Sequence, residues 1–224
     1  MKIMSFNTQH CLSYIEQKID YELMADAILS CEADAVGLNE IYTAQTEKLS
    51  ELTGMKYCYF APAIEVPGRG LYGNGFLSKI PIIKASKIMI PDPEQRAYKG
   101  YYETRCIIKA ELEGGVTVLV SHFGLNPDEQ ANAVKAVIES LADEKCIFMG
   151  DLNMVPENPL LDPIKSRMKD TAALFDEPGQ SYPSTAPDRK IDYIFVSHDV
   201  SVISADIPPI VASDHRPHVA EIVF

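Results

Sequence analysis

The chain has no run of lysine or arginine. Of its 224 residues, 20 are Lys or Arg against 32 Asp or Glu, a formal charge of −12 at neutral pH. Proteins that grip long nucleic acids do so mainly by neutralising phosphates with cationic side chains. An acidic chain without a basic stripe therefore disfavours a non-specific hold on duplex DNA, although a local basic funnel would still admit nucleic acid. No apolar stretch approaches the roughly 20 residues a membrane-spanning helix needs. The first residues read as a strand carrying Lys2 and Asn7, so no signal peptide is expected. There is no Cys-x-x-Cys pair to suggest zinc or a redox pair. Cys11, Cys31, Cys58, Cys106 and Cys146 are scattered and odd in number, and Cys106 and Cys146 fall inside apolar strand patterns as small buried hydrophobes. A reducing cytoplasm is the natural compartment. Repeats, low-complexity tracts and linkers are also missing, so one domain is expected over residues 1–224. Oligomeric state leaves no trace in the sequence.

What is present is a long series of strand patterns with helices between them. Lys2 to Phe6, Ala35 to Glu40, Met55 to Ala61, Gly75 to Ser78 and Ile82 to Ile90 read as strands. Thr104 to Leu112 and Val116 to His122 form a hairpin across Glu113-Gly114-Gly115. Cys146 to Met149, Asp192 to Ser197, Val200 to Ala205 and Val219 to Val223 complete the strands. Ile15 to Ser30 is expected as a helix with Ile19, Leu23, Ala27 and Ile28 on one side, and Ala44 to Leu52 as a second. Asn126-Pro127-Asp128-Glu129 opens a third with a cap, an early proline and a capping-box glutamate; Val134, Ile138 and Leu141 form its apolar face. The pattern predicts an α/β fold of two packed sheets flanked by helices. Two stretches, Pro62 to Gly73 and Pro91 to Glu103, read as loops rich in Gly, Arg and Tyr that could select a substrate.

Polar residues stand where these strand patterns end. Side chains two apart in a strand share a face. Ile3 and Ser5 lead to Asn7, Val36 and Leu38 to Glu40, Val118 and Val120 to His122, and Ile147 and Met149 to Asp151; Asp192 precedes Ile194 and Val196. A polar group continuing a core-facing series is costly unless paired or ligated. Any one of them alone is an ordinary cap, turn or structural histidine. Together with Asn153 and Ser213-Asp214-His215, the set supplies hard oxygen ligands and two histidines, the equipment for metal-assisted attack on a phosphate ester.

The ordered stretches Ser5-Phe6-Asn7, Val36-Gly37-Leu38-Asn39-Glu40, Gly73-Asn74-Gly75-Phe76-Leu77-Ser78-Lys79, Val120-Ser121-His122, Gly150-Asp151-Leu152-Asn153, Lys190-Ile191-Asp192-Tyr193-Ile194-Phe195 and Ser213-Asp214-His215 span the chain. In this order they resemble the endonuclease/exonuclease/phosphatase superfamily, the deoxyribonuclease I-like fold. Three departures leave the subfamily open: Asn39 where relatives often have Gln, Phe123 where many have Leu, and Cys11 where a Gly is common. The resemblance implies a four-layer α/β sandwich of two packed mixed β-sheets flanked by helices. It further implies Mg²⁺ or Mn²⁺ held by Glu40 and Asn7, with Asp214 completing that site or holding a second ion. His215, oriented by Asp192, would take a proton from the attacking water. Asp151 and Asn153 would orient the water and bind phosphate, and His122 would stabilise the pentavalent phosphate or aid the leaving oxygen. Asn74 and Arg105 stand at less diagnostic positions, as phosphate contacts. The expected function is a metal-dependent phosphoesterase acting on a diester or monoester of a small molecule or lipid head group. A DNA or RNA nuclease is the alternative among enzymes, and an inactive phosphate-ligand binding module the alternative of another class.

Overall fold

The computed structural model of the chain describes residues 1–175 and 179–224. Two six-stranded sheets carry the alternating patterns. In the first the order is β11 (Ser201–Asp206), β12 (His218–Val223), β1 (Lys2–Asn7), β2 (Ala35–Tyr42), β4 (Gly70–Ser78) and β3 (Tyr57–Val66). In the second it is β5 (Ile82–Met89), β6 (Cys106–Leu112), β7 (Val116–Ser121), β8 (Cys146–Asp151), β10 (Asp192–Ser197) and β9 (Met168–Asp170). At the middle of each sheet runs one parallel pair, β1 with β2 and β7 with β8; the other pairings are antiparallel. Both sheets are thus mixed.

Each central strand is buried on both faces and reads almost continuously apolar, as sheets covered on both sides do. One face of each sheet meets the other sheet in a core that includes Ile3, Val118, Val120, Ile147, Met149, Ile194 and Ile222. The outer face of the first sheet, with Met4, Phe6, Val36 and Leu38, packs with Met24 and Ile28 of α1 (Tyr21–Ser30) and Leu49 of α2 (Thr43–Thr53). That of the second, with Leu119, Phe148 and Phe195, packs with Val134 and Val137 of α3 (Pro127–Ser140) and Ile164 of α4 (Asp162–Arg167). Four layers result. Among the described residues no helix is long and apolar enough to cross a membrane, and all five cysteines are free.

Two expectations are corrected. The first helix begins at Tyr21, not Ile15, because the Asp20 side chain caps it by accepting the Leu23 N–H at 3.0 Å. Upstream, Leu12 bridges Ile19, and Ile15 and Ile19 are exposed. The stretch from Pro62 to Gly73 is not a loop: β3 and β4 pair through it, with Pro62 opposite Gly73 and Ile64 opposite Tyr72. The third helix starts as expected, with Asn126 and Glu129 forming the capping box and Pro127 in the first turn.

Candidate active site

Four of the five strand-end residues arrive by simple alternation. The apolar members preceding Asn7, His122 and Asp151, and those following Asp192, all lie in the core between the sheets. Glu40 comes by another route. Val36 and Leu38 point to the outer, helix-covered layer, and the inward series of β2 is Ala35, Gly37 and Asn39. The β2–β4 register shifts between Leu38 and Ile41, and Glu40 adopts φ 53°, in the left-handed region. That bulge turns a side chain due to face the helices toward Asn7 instead. Such a conformation in a non-glycine residue costs on the order of 1 kcal/mol, a strain commonly held at functional sites.

Glu40, His122 and Asp151 line a cleft of about 400 Å³ together with Asn153, Asp214 and His215, and Asn7 and Asp192 are buried behind it. The Asn7 amide nitrogen donates to Glu40 Oε1 at 3.1 Å and to Asp151 Oδ2 at 3.0 Å. His215 Nδ1 lies 2.8 Å from Asp192 Oδ2, and its Nε2 is 3.6 Å from Asp151 Oδ2. His122 Nε2 is 3.4 Å from the same Asp151 oxygen and 4.0 Å from Glu40 Oε1. Asp151 is therefore the hub. Its backbone N–H donates to Asn39 Oδ1 at 2.9 Å, and its Oδ1 accepts the Asn153 N–H at 2.9 Å. Asp214 accepts from its neighbour Ser213 at 3.0 Å. Asn74 stays behind the cleft, 3% exposed, its oxygen accepting from Asn39 and its nitrogen donating to the Cys106 carbonyl. It braces Asn39, and through it the backbone of Asp151.

Burial and crowding of carboxylates set the charges. Burial raises the Asp151 pKa to about 7, against the lowering influence of His215. Burial alone would lower His215, but Asp192 and Asp151 outweigh it and hold the imidazole well above its usual range. His122 is driven well below that range by burial, then by Arg105 and His215. Burial also raises Asp214. The two histidines are pushed apart, one toward the cation and one toward the neutral ring.

The donor set suits a hard divalent cation. Glu40 and Asp214 supply carboxylate oxygens. Asn7 turns its nitrogen to the carboxylates and its oxygen to the Gln9 N–H at 3.0 Å, so a flip of the amide would present an oxygen ligand in the same place. Asp151, Asp192 and His215 also each offer an atom within 4.8 Å of one another. Their 2.8 Å Nδ1–Oδ2 contact already engages two of the three on each other, which makes this cluster a hydrogen-bonded pair beside Asp151 rather than a metal cage. The second oxygen of Asp192, Oδ1, is buried without a hydrogen-bond partner.

Several neighbours carry no strand-end signal. His10 Nδ1 lies 3.8 Å from Glu40 Oε2, on a turn in which Gln9, His10 and Cys11 all have positive φ; a histidine three residues after Asn7 was the one available clue. Tyr182 rests its ring 4.8 Å from that of His215, with the Arg189 guanidinium 4.9 Å over the Tyr182 ring. The Ser184 N–H donates to the Asp214 carbonyl at 2.7 Å, fastening this segment to the Asp214-His215 turn.

A model of the endonuclease/exonuclease/phosphatase family matches residues 4–215. No curated protein matches the chain in sequence. Among solved structures, a conserved protein of unknown function from Enterococcus faecalis is 19% identical, with a TM-score of 0.80 over 100% of this chain and 99% of its own. An endonuclease/exonuclease/phosphatase from Bacteroides vulgatus is 18% identical, TM-score 0.80, over 100% and 98%. A mannosyl-6-phosphatase from Bacteroides thetaiotaomicron is 16% identical, TM-score 0.78, over 100% of both chains. At these identities the likeness is one of fold.

Proposed function

Because the chain belongs to the endonuclease/exonuclease/phosphatase family, we propose that it is a phosphoesterase, dependent on Mg²⁺ or Mn²⁺, that hydrolyses a phosphate ester of a small molecule or lipid head group as one cytoplasmic catalytic domain. The observation that carries this reading is the meeting at Asp151 of two sets of groups. Asn7 links it to Glu40 on one side, and His215, paired with the fully buried Asp192, faces it on the other. Glu40, Asn7 and Asp214 would hold the ion, which supplies positive charge to polarise a phosphoryl oxygen.

The remaining steps belong to the protein. The carboxylates by themselves favour the His215 cation. Their charge would be offset by an ion held by Glu40, Asn7 and Asp214, which favours the neutral ring. In that state, with Nδ1–H donating to Asp192, the lone pair of His215 is on Nε2, beside Asp151. That nitrogen takes the proton of the attacking water, and the Asp192 and Asp151 carboxylates stabilise the resulting cation. Asp151 and Asn153 orient the water and the phosphate, and His122 acts on an equatorial or leaving oxygen. Tyr182 and Arg189 line the same cleft beside His215.

The test is a panel of phosphomonoesters, phosphodiesters and nucleic acids, each with Mg²⁺, Mn²⁺ or chelator, run beside Glu40→Gln. Hydrolysis of the small esters should require the ion. In calorimetric titration Glu40→Gln should lose most Mn²⁺ binding while keeping the native circular dichroism. Unchanged Mn²⁺ affinity in the folded variant would remove Glu40 from the metal site.

A further inference from the structure

His122 has an N–H donor against each of its two ring nitrogens. Arg105 Nη1 is 3.0 Å from Nδ1, and the Asn153 amide nitrogen is 3.1 Å from Nε2. A neutral imidazole can accept at only one nitrogen, and a guanidinium never accepts. Nδ1 must therefore be the acceptor, and the ring proton resides on Nε2. The Asn153 amide is fixed nitrogen-inward by its bond to the Phe123 carbonyl at 3.0 Å. His122 Nε2–H and the second amide hydrogen of Asn153 thus form a donor facing a donor. Nε2 has only the Asp151 Oδ2 oxygen at 3.4 Å as an acceptor, and a bound substrate oxygen between the two would serve both.

Arg105 is itself held in place. Nη1 has two hydrogens; one serves His122 and the other meets Glu103 Oε1 at 2.6 Å. The Glu103 N–H donates to Glu129 Oε1 at 3.1 Å, while Glu129 Oε2 accepts the Asn126 N–H at 3.2 Å as half of the capping box of α3. Tyr102 and Ala97 of the same segment bind Asp128 on the first turn of that helix. The stretch from Pro91 to Glu103, legible in sequence only as a substrate loop, is anchored to α3 and presents Glu103 to Arg105.

We propose that Arg105 is a positioning residue that locks His122 in its Nε2–H tautomer, so that His122 and Asn153 together form a two-donor cradle for a phosphoryl or leaving-group oxygen. His122 then works as a neutral hydrogen-bond donor, not as a proton-transferring acid or base. The catalytic part of this inference rests on the phosphoesterase reading; the tautomer does not.

The experiment combines nitrogen NMR of the ¹⁵N-histidine-labelled protein, the His122 signals assigned by their loss in His122→Asn, with steady-state hydrolysis of p-nitrophenyl phosphate and bis(p-nitrophenyl) phosphate. Wild type should show the proton of His122 on Nε2. Arg105→Met should admit the Nδ1–H form and lower kcat by about 10²-fold, the scale of losing one oxyanion donor, with KM little changed. Arg105→Lys should restore part of both, and Glu103→Gln, which keeps the arginine but loosens it, should move both readouts in the same direction by less. An unchanged tautomer in Arg105→Met or Glu103→Gln overturns the proposal. So does a rise in KM at constant kcat, which returns Arg105 to direct phosphate binding. If wild type turns over neither ester, the phosphoesterase reading fails for these substrates, while the tautomer signal still decides what Arg105 does to His122.

Discussion

His215 and Asp192 illustrate how one residue pair acquires chemistry from its surroundings. Neither side chain has an alternative charged partner as close as the other, at 2.8 Å, and Asp192 is 0% exposed. Removing either leaves a buried polar group without its match, so the damage is the loss of a unit rather than of one contact. Asp192→Asn and His215→Ala should each lower the rate by at least ~10²-fold. The double variant should fall little below the worse single. A fully multiplicative loss in the double, measured with all three proteins folded, would mean that the residues act separately. Each member was legible in the sequence on its own, Asp192 because it opens a core-facing strand series and His215 because it sits in a polar turn, while their pairing was what the family resemblance implied. The tautomer relation of Arg105 to His122 was not, because it depends on which of two ring nitrogens a guanidinium approaches.

At the scale of elements, the strands were read well where alternation is strict and poorly where it breaks. Asn7, His122, Asp151 and Asp192 follow period two into the inter-sheet core. Glu40 has the same sequence signature, yet Val36 and Leu38 face the helices and a left-handed residue does the turning. Period two assigns partners to a face but does not say which face is which, and a bulge reverses it. The β3–β4 hairpin was hidden for a related reason. Its Pro and Gly residues look like loop chemistry, but Gly73 is there because a Cβ would lie 2.1 Å from the Ala61 carbonyl oxygen across the ladder. Two inward glycines make a test of how these strands fit. Gly150 has φ 150°, and a Cβ there would lie 1.7 Å from the Ser121 carbonyl oxygen on β7. At Gly37 a Cβ would meet Met149 Sδ at 2.7 Å. A carbonyl fixed in a sheet cannot yield, whereas a methionine can turn away. Gly150→Ala should cost on the order of 3 kcal/mol or more and displace Asp151, and Gly37→Ala roughly 1–2 kcal/mol. Urea midpoints give the comparison; equal losses would contradict this account of Gly150.

For the whole molecule, the two sheets are tied at depth by a histidine that takes no part in the chemistry. His218 on β12 of the first sheet meets Thr171 Oγ1, just beyond β9 of the second, at 3.2 Å, and its Nδ1 is 3.4 Å from the Asp192 carbonyl. Burial, then Lys190, lower its pKa to about 4. The unfolded chain binds this proton near pH 6.5 and the folded one only near pH 4, so the neutral ring contributes stability that is complete above about pH 6.5 and lost as pH falls toward 4. The loss should amount to a few kcal/mol, and His218→Gln should flatten the urea midpoint over that window; an unchanged slope would remove His218 as its source. Charge bears on the partner at the same scale. The sequence left room for a local basic funnel inside a chain of net charge −12, but among the described residues the cleft does not provide one. Arg105 is paired with Glu103 at 2.6 Å and Arg189 with Asp188 at 3.0 Å, while Glu40, Asp151 and Asp214 face the same space. A duplex laid across this mouth would bring phosphates to carboxylates with few counterions to release, whereas a small ester would need only the proposed ion and the donors within. Anisotropy titration should therefore give weak duplex binding at physiological salt, with a shallow dependence on salt concentration. At fixed ionic strength, specific activity on small or lipid-derived phosphate esters should exceed that on plasmid, abasic duplex and short RNA. Efficient incision of duplex or abasic DNA, with no turnover of the small esters, would overturn this reading in favour of a nuclease and would mean that the acidic mouth rearranges when nucleic acid binds.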